Sequence, residues 1–235
     1  MQVMRSKLRM VGAGLADSLS IAAGYLPIAF SFGVAAVQAG LPPSIAVLVS
    51  FLVYAGASQF LLISLLASGA GMWTALPTVM LMNARHVLYG PALVPGLSGP
   101  PQVRSPLQSF GLTDEVFATA MSKMPSVAPA AREYWLLGLQ VGAYAAWVGG
   151  TLIGVVLVGE VSQWPDAVRD GLAFVLPALF CALLLETGVR RWWLPIGVAA
   201  VTAALLGLYL ANYNALVLAI VAGALAHAVW GKADV

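Results

Sequence analysis

Hydrophobic residues in this chain are grouped in long runs that are separated by short polar or turn-forming segments. A helix that crosses a bilayer needs about 20 mostly apolar residues, and seven runs reach about that length. Turn-forming residues such as Pro42-Pro43 and Asn212–Asn214 separate them. The runs cover residues 14–38, 44–68, 72–96, 134–158, 168–188, 193–211 and 213–231. The pattern predicts an all-α polytopic membrane protein with about seven or eight transmembrane helices.

The composition agrees with this pattern and narrows the function. Of 235 residues, 61% are hydrophobic and 9% are charged, and the mean hydropathy is +0.92. Soluble domains contain about 25% charged residues, so a cytosolic enzyme, a nucleic-acid-binding protein and a disordered chain are excluded. The single Cys181 and two distant histidines form no Cys/His metal cluster, and no GxxxxGK[ST] phosphate loop is present. We expect a lipid-embedded protein that is not an enzyme and has no cofactor, no metal and no nucleic-acid partner.

The more polar region 97–133 contains a segment, 106–124, whose pattern is helical. Lys and Arg accumulate on the cytoplasmic side of membrane proteins. Ten Lys and Arg lie outside the spans. If the N-terminus is cytoplasmic, four of these ten are cytoplasmic when 106–124 does not cross the bilayer, and eight are cytoplasmic when it does. We therefore predict eight crossings and two cytoplasmic termini. The alternative is an amphipathic helix at the cytoplasmic surface, with one span miscounted elsewhere.

A short motif occurs twice in the chain. Leu26-Pro27-x-x-Phe30 in the first run matches Leu176-Pro177-x-x-Phe180 in the fifth. In an eight-span arrangement the two copies have opposite orientations, and inverted repeats with proline- or glycine-broken helices are typical of secondary transporters. One transmembrane domain, 1–235, would then contain repeats 14–96 and 168–231 linked by 97–167. Chance similarity between apolar segments is the alternative.

Arg85 lies near the middle of the third run, beside Asn83 and His86. An ionisable side chain at the centre of a bilayer helix costs at least ~2.5–3.5 kcal/mol, so such residues are candidates for function. Arg85 either binds a substrate carboxylate or forms a gating or structural ion pair with Asp114 or Glu115. His86 either relays protons or packs as a hydrogen-bonded polar residue.

Two other polar segments and Asp17 are further candidates. Thr113, Asp114 and Glu115 follow a glycine, which predicts a helix N-terminus in or near the membrane. The two carboxylates either bind the substrate ammonium, carry a coupling proton or pair with Arg85, or they belong to a helix cap at the interface. The stretch 54–60, with Tyr54, Ser58 and Gln59, is either unwound backbone that binds a polar ligand or a closely packed helix. Asp17, near the cytoplasmic end of the first run, is either functional or an interfacial acid.

The fourth run contains small residues at every fourth position. Such a row permits another helix to approach closely, either from this chain or from another subunit. The row consists of Gly138, Gly142, Ala146, Gly150 and Gly154.

Four stretches of the chain resemble the AzlC family, the large subunits of branched-chain amino acid exporters, and in particular its YgaZ type. They are YAGASQF at 54–60, RHVLYGP at 85–91, FGLTDEVFA at 110–118 and LPALF at 176–180. The resemblance implies a secondary transporter in the bacterial inner membrane that exports valine-like amino acids or methionine with a small AzlD-type membrane subunit. The chain has Asn83 where the YgaZ type has an acid, which moves any proton-carrying role to Asp114 or Glu115. A channel or facilitator for another small neutral solute is the alternative.

A zwitterionic amino acid requires an anion site, a cation site and an apolar pocket. Arg85 suits the substrate carboxylate, and Asp114 or Glu115 suits the ammonium group. The residues expected to flank the aliphatic side chain are Tyr54, Phe60, Met80 and Met82.

Overall fold

The computed structural model describes residues 2–97, 105–161, 163–168, 189–210 and 212–230, with isolated positions between 168 and 189, and all regular structure within them is helical. The predicted run 168–188, which contains the second copy of the repeated motif, lies largely outside these residues. The helices are α1 (Gln2–Asp17), α2 (Leu19–Gln38), α3 (Pro43–Val53), α4 (Gly56–Ala67), α5 (Met72–Asn83), α6 (Tyr89–Leu93), α7 (Ser105–Phe110), α8 (Asp114–Lys123), α9 (Arg132–Val161), α10 (Val189–Leu206) and α11 (Asn212–Trp230). A 3-10 turn, Ala84–Leu88, joins α5 to α6.

Two predicted segments are interrupted near their middle by residues that are not helical, whereas the run 72–96 continues through the 3-10 turn. The run 44–68 divides into α3 and α4, because Tyr54 adopts a left-handed conformation (φ 40°, ψ 47°) and Ala55 is extended. Bulky residues rarely adopt positive φ. The segment 106–124 divides into α7 and α8, and the break includes the Gly111 that marked it in the sequence. Each break leaves backbone groups without partners in their own helix.

Two helical stretches in the described part of the chain are long and apolar enough to cross a bilayer unaided: Leu19–Gln38 and Pro129–Glu160. Shorter apolar stretches include the two halves of the first broken segment. The total of seven or eight crossings therefore stays a prediction. Large apolar side chains such as Trp73, Val87 and Leu208 are exposed, which suits outer faces in contact with lipid.

The small-residue row of α9 faces helices of this same chain. A Cβ added at Gly138 would collide with the carbonyl oxygen of Val11 in α1, and one added at Gly154 would collide with the carbonyl oxygen of Phe30 in α2. The two helices pack along α9 more extensively than other elements do. The sequence left open which helix approaches the row, and α1 and α2 of this chain do so.

Gly154→Val is expected to destabilise the fold because the added side chain must push the α2 backbone away. Overpacking of this kind costs about 1–3 kcal/mol, which corresponds to a fall in Tm of about 2–4 °C per kcal/mol. Thermal unfolding of the purified chain in detergent measures it. Gly149→Val is the matched control, since a Cβ at Gly149 in the same helix meets nothing within 4 Å. Equal Tm values for the two variants would contradict the packing.

Candidate functional site

A cleft lies where the two helix breaks meet α2, α9 and the 3-10 turn; we call it the central cleft. Tyr25, Tyr54, Thr113 and Trp147 form its buried interior, whereas Glu115 is exposed. Charged and aromatic groups therefore share one small space. Its lining consists of Tyr25, Ile28, Tyr54, Ala55, Gly56, Ala57, Arg85, His86, Thr113, Asp114, Glu115 and Trp147.

The central cleft is narrow in this conformation. The centres of water molecules have about 40 Å³ available to them. One water needs about 10–15 Å³ on that measure, so the cleft holds roughly three water molecules. An amino acid is larger, and the cleft has to widen to admit one.

Arg85 and Asp114 form an ion pair on one side of the cleft. The Arg85 Nη2 to Asp114 Oδ2 distance is 2.6 Å, and the two side chains are 45% and 35% exposed. The hydroxyl of Tyr89, one turn after Arg85, donates to the other carboxylate oxygen. The predicted pairing of Arg85 with an acidic residue of the 113–115 stretch is thus present, and Asp114 is the partner.

Glu115 lies beside Asp114 but has different partners. Thr113 caps α8 by accepting the N–H of Val116 at 3.4 Å, so both acidic residues lie in the first turn, where the helix dipole favours carboxylates. The Tyr25 hydroxyl donates to Glu115 Oε2 at 2.5 Å and is 2.6 Å from the Thr113 hydroxyl. No Lys, Arg or His among the described residues forms an ion pair with Glu115. The charge of Arg85 and Asp114 cancels, and Glu115 leaves the cleft with one uncompensated negative charge.

One face of α9 holds the two helix breaks in place. Gln140 donates to the carbonyl of Gln108 in α7 at 2.7 Å, and Tyr144 donates to the carbonyl of Phe51 in α3 at 2.8 Å. The Trp147 indole donates to Gln59 Oε1 at 3.0 Å. These α9 residues recur at helical spacing and bond to groups at or near both breaks.

Ser58 and Gln59 are buried beside the cleft but do not line it. Ser58 donates to the carbonyl of Ala55, and Gln59 donates to the carbonyl of Val49 at 3.0 Å. Both therefore stabilise the break between α3 and α4. Asn83 precedes the 3-10 turn, outside the cleft lining, and its buried Oδ1 has no hydrogen-bond partner in the described part of the chain.

Three of the four residues expected to flank the aliphatic side chain do not line the central cleft. Phe60 packs edge-to-face on Phe32, with ring centroids 5.5 Å apart, and Met80 is 72% exposed. Neither these two nor Met82 lines the cleft, because α4 and α5 turn those faces elsewhere. Tyr54 does line it, and the apolar surface comes from Ile28, Ala55, Ala57 and Trp147.

Asp17 also lies away from the central cleft. Lys123 Nζ is 2.5 Å from its Oδ1, and the Trp135 indole donates to its Oδ2 at 2.8 Å. The hydrogen bond from Lys123, followed by that from Trp135, lowers the pKa of Asp17. This contact stabilises the fold above the usual Asp pKa of about 3.9 and is lost only when the pH falls through the lowered pKa. Asp17 thereby fastens α1 to the end of α8 and the start of α9.

Three residues around the cleft were not predicted from the sequence: Tyr89, Trp147 and Tyr144. Tyr89 follows Arg85 by one helical turn, and Tyr144 and Trp147 follow Gln140 at spacings of four and seven. In α9, the spacing of Gln140, Tyr144 and Trp147 within an otherwise apolar helix was the sequence signal that could have identified these residues. Within the described ranges, no three His, Cys, Asp or Glu side chains are grouped so that they could hold a metal ion.

Comparison with known proteins identifies the family of the chain. The model of a family described as AzlC protein matches residues 20–161. The chain belongs to the AzlC family. It is 41% identical over 222 residues to the inner membrane protein YgaZ of Escherichia coli, covering 92% of this chain and 90% of YgaZ. It is 25% identical over 175 residues to the branched-chain amino acid transport protein AzlC of Bacillus subtilis, covering 74% of this chain and 66% of that protein.

Other members of the family are membrane proteins by name. An uncharacterized membrane protein of Archaeoglobus fulgidus is 41% identical over 181 residues, with 77% of each chain covered. No solved structure matches the chain. The AzlC chain described here is accordingly an all-helical member of a family of membrane proteins that includes an amino acid transport protein.

Proposed function

We propose that this AzlC chain is the large subunit of a secondary transporter that exports branched-chain amino acids, valine above all and methionine as well, from the cytoplasm. A small membrane subunit of the AzlD type completes the transporter. The central cleft carries the proposal: it combines charges of both signs with apolar walls, as a zwitterion with an aliphatic side chain requires. The Bacillus subtilis relative, named for branched-chain amino acid transport, supports the substrate class.

Glu115 binds the ammonium group of the substrate. Asp114 is occupied by Arg85 and Tyr89, whereas Glu115 has no cationic partner among the residues described. An ammonium group next to Glu115 compensates the remaining charge of the cleft and forms charge-assisted hydrogen bonds. Ile28, Ala57 and Trp147 supply the apolar contact for the aliphatic side chain.

The two broken helices supply the movement that transport needs. Discontinuous helices that meet at a binding site are a common feature of secondary transporters, and their halves can tilt separately. The small volume of the cleft fits a contracted state of such a cycle. Opening to either side then requires α4 or α8 to move relative to α9.

The contact between Asp17 and Lys123 supports the eight-span arrangement. Both residues are cytoplasmic if 106–124 crosses the bilayer, and also if it lies at the cytoplasmic surface after a miscounted span. A surface segment after three spans would instead put Lys123 on the opposite side from Asp17. Their 2.5 Å separation argues against that third arrangement, and the distribution of Lys and Arg favours the crossing over the second. We accordingly propose a multi-pass protein of the bacterial inner membrane with two cytoplasmic termini.

Valine efflux tests the proposed function. Cells without their own exporters are loaded with a valine-containing dipeptide, and external valine is followed with this chain alone, with its AzlD-type partner, and with neither. We expect rapid efflux only with both chains, continuing after external valine exceeds the internal concentration. Efflux with this chain alone would contradict the partner, efflux that stops at equal concentrations would indicate a facilitator, and no efflux would contradict the substrate.

A further inference from the structure

We infer that the N-terminus of α4, together with the Tyr54 hydroxyl, binds the carboxylate of the substrate. This inference rests on the proposed function. It assigns a site to the carboxylate of the substrate, whereas Glu115 binds the ammonium group. It differs from the simpler expectation that Arg85 is the carboxylate site.

The N-terminus of α4 presents free donors inside the central cleft. The helix has 12 residues and starts at Gly56, and its N-cap residue, Ala55, has no side chain that could accept a hydrogen bond. The first N–H of this helix that finds a backbone acceptor is that of Gln59, which bonds to Ala55. The N–H groups of Gly56 and Ala57 have no partner among the described residues, and both residues line the cleft. Such groups and the helix dipole favour an anion.

Tyr54 provides an independent observation that points to ligand binding at this place. Its side chain lines the cleft and is 97% buried, since only 3% of its surface is exposed, yet its hydroxyl has no hydrogen-bond partner among the residues that the structure describes. A buried hydroxyl without a partner costs about 1–3 kcal/mol, so buried polar groups are nearly always bonded. A carboxylate in the cleft would accept from this hydroxyl as well as from the helix N-terminus.

The packing around Gly56 keeps this end of the helix open. A Cβ at Gly56 would lie 2.7 Å from the indole ring of Trp147, so glycine lets the indole lie against the first turn. That indole is fixed by its bond to Gln59. Arg85, in contrast, is already paired with Asp114 at 2.6 Å, and this pairing compensates its charge, so a substrate carboxylate gains less electrostatic attraction there.

Competition by valine and valinamide tests the inference. Inside-out vesicles that contain both chains take up radiolabelled valine, and either unlabelled valine or valinamide is added as a competitor. Valinamide has the same shape and ammonium group as valine but no carboxylate. The wild type should prefer valine. Tyr54→Phe removes one donor and keeps the ring, and Ala57→Pro removes one N–H in the first helical turn, where proline is tolerated.

We expect each variant to raise the half-inhibiting concentration of valine about tenfold, the effect of a lost bond to a charged group, and to leave that of valinamide unchanged. Met80→Leu, on an exposed face of α5 outside the cleft lining, is the control and should retain the wild-type preference. An undiminished preference for valine over valinamide in Tyr54→Phe would overturn the inference. If Ala57→Pro does not fold, the Tyr54→Phe result alone tests the inference. No valine uptake by the wild type would instead refute the proposed function, and the inference with it.

Discussion

Glu115→Gln is expected to lower valine export by about two orders of magnitude, the upper range for a lost hydrogen bond to a charged group. The amide keeps the size of the side chain and can still accept from Tyr25, which now donates to the carboxylate at 2.5 Å. It removes the one negative charge of the cleft that has no cationic partner among the described residues. The substrate ammonium would then enter a cleft with no net charge to compensate it.

The control for this variant is Glu160→Gln, an exposed carboxylate at the end of α9. It should export valine at the wild-type rate in the dipeptide-loaded cells, at equal amounts of protein in the membrane. Glu115→Gln should also reach the membrane in normal amounts, because the side chain is exposed and its volume is unchanged. If Glu115→Gln exported valine at the wild-type rate, Glu115 would not be part of the binding site.

The ion pair between Arg85 and Asp114 leads to a second prediction with a large effect. Arg85→Gln or Asp114→Asn alone should lower export at least about tenfold, because each leaves the other charge of the pair without its partner in a narrow cleft, and removing one partner of such a pair is costly. The pair is partly exposed, so the cost is smaller than for a fully buried pair. Combining the two substitutions restores the charge balance, and among the described residues of the cleft Glu115 is again the one charge that is not compensated.

The double variant should therefore export valine better than either single variant. This result would not be obtained if Arg85 bound the substrate carboxylate, because the double variant would then be as inactive as Arg85→Gln. Double-mutant cycles isolate such coupling when neither substitution adds a contact. Initial rates of valine efflux, normalised to the amount of protein, provide the four values needed.

Local patterns in the sequence predicted several features of the fold that the structure contains. The helix start at Thr113 was predictable because a capping residue before two acids has a local cause, and the small-residue row of α9 was predictable because its spacing is regular. The break at 54–55 was one of two options: the sequence shows small and polar residues there, but a left-handed Tyr54 depends on contacts from other helices.

Contacts between distant segments could not be read from the sequence. Arg85 had two acidic residues as candidate ion-pair partners. Which of them pairs with Arg85 depends on how the first turn of α8 is rotated relative to the 3-10 turn that carries Arg85. The bond of Asp17 to Lys123 joins residues 106 positions apart, which no periodicity reveals. Phe60 and Met80 were placed at the substrate because they are near the polar stretches in sequence, whereas the faces of α4 and α5 that carry them turn to the core and to the outside.

Protection of a single cysteine in the central cleft tests most directly that this cleft is the amino acid site. Cys181→Ser removes the only cysteine of the chain, and Ala57→Cys then puts one thiol in the cleft lining while keeping the backbone N–H. The rate of alkylation by a small maleimide is measured in vesicles containing both chains, with and without saturating valine. Isovalerate, which has the same side chain but no ammonium group, is the control. The account predicts that valine slows alkylation severalfold and isovalerate does not; equal rates with and without valine would contradict it.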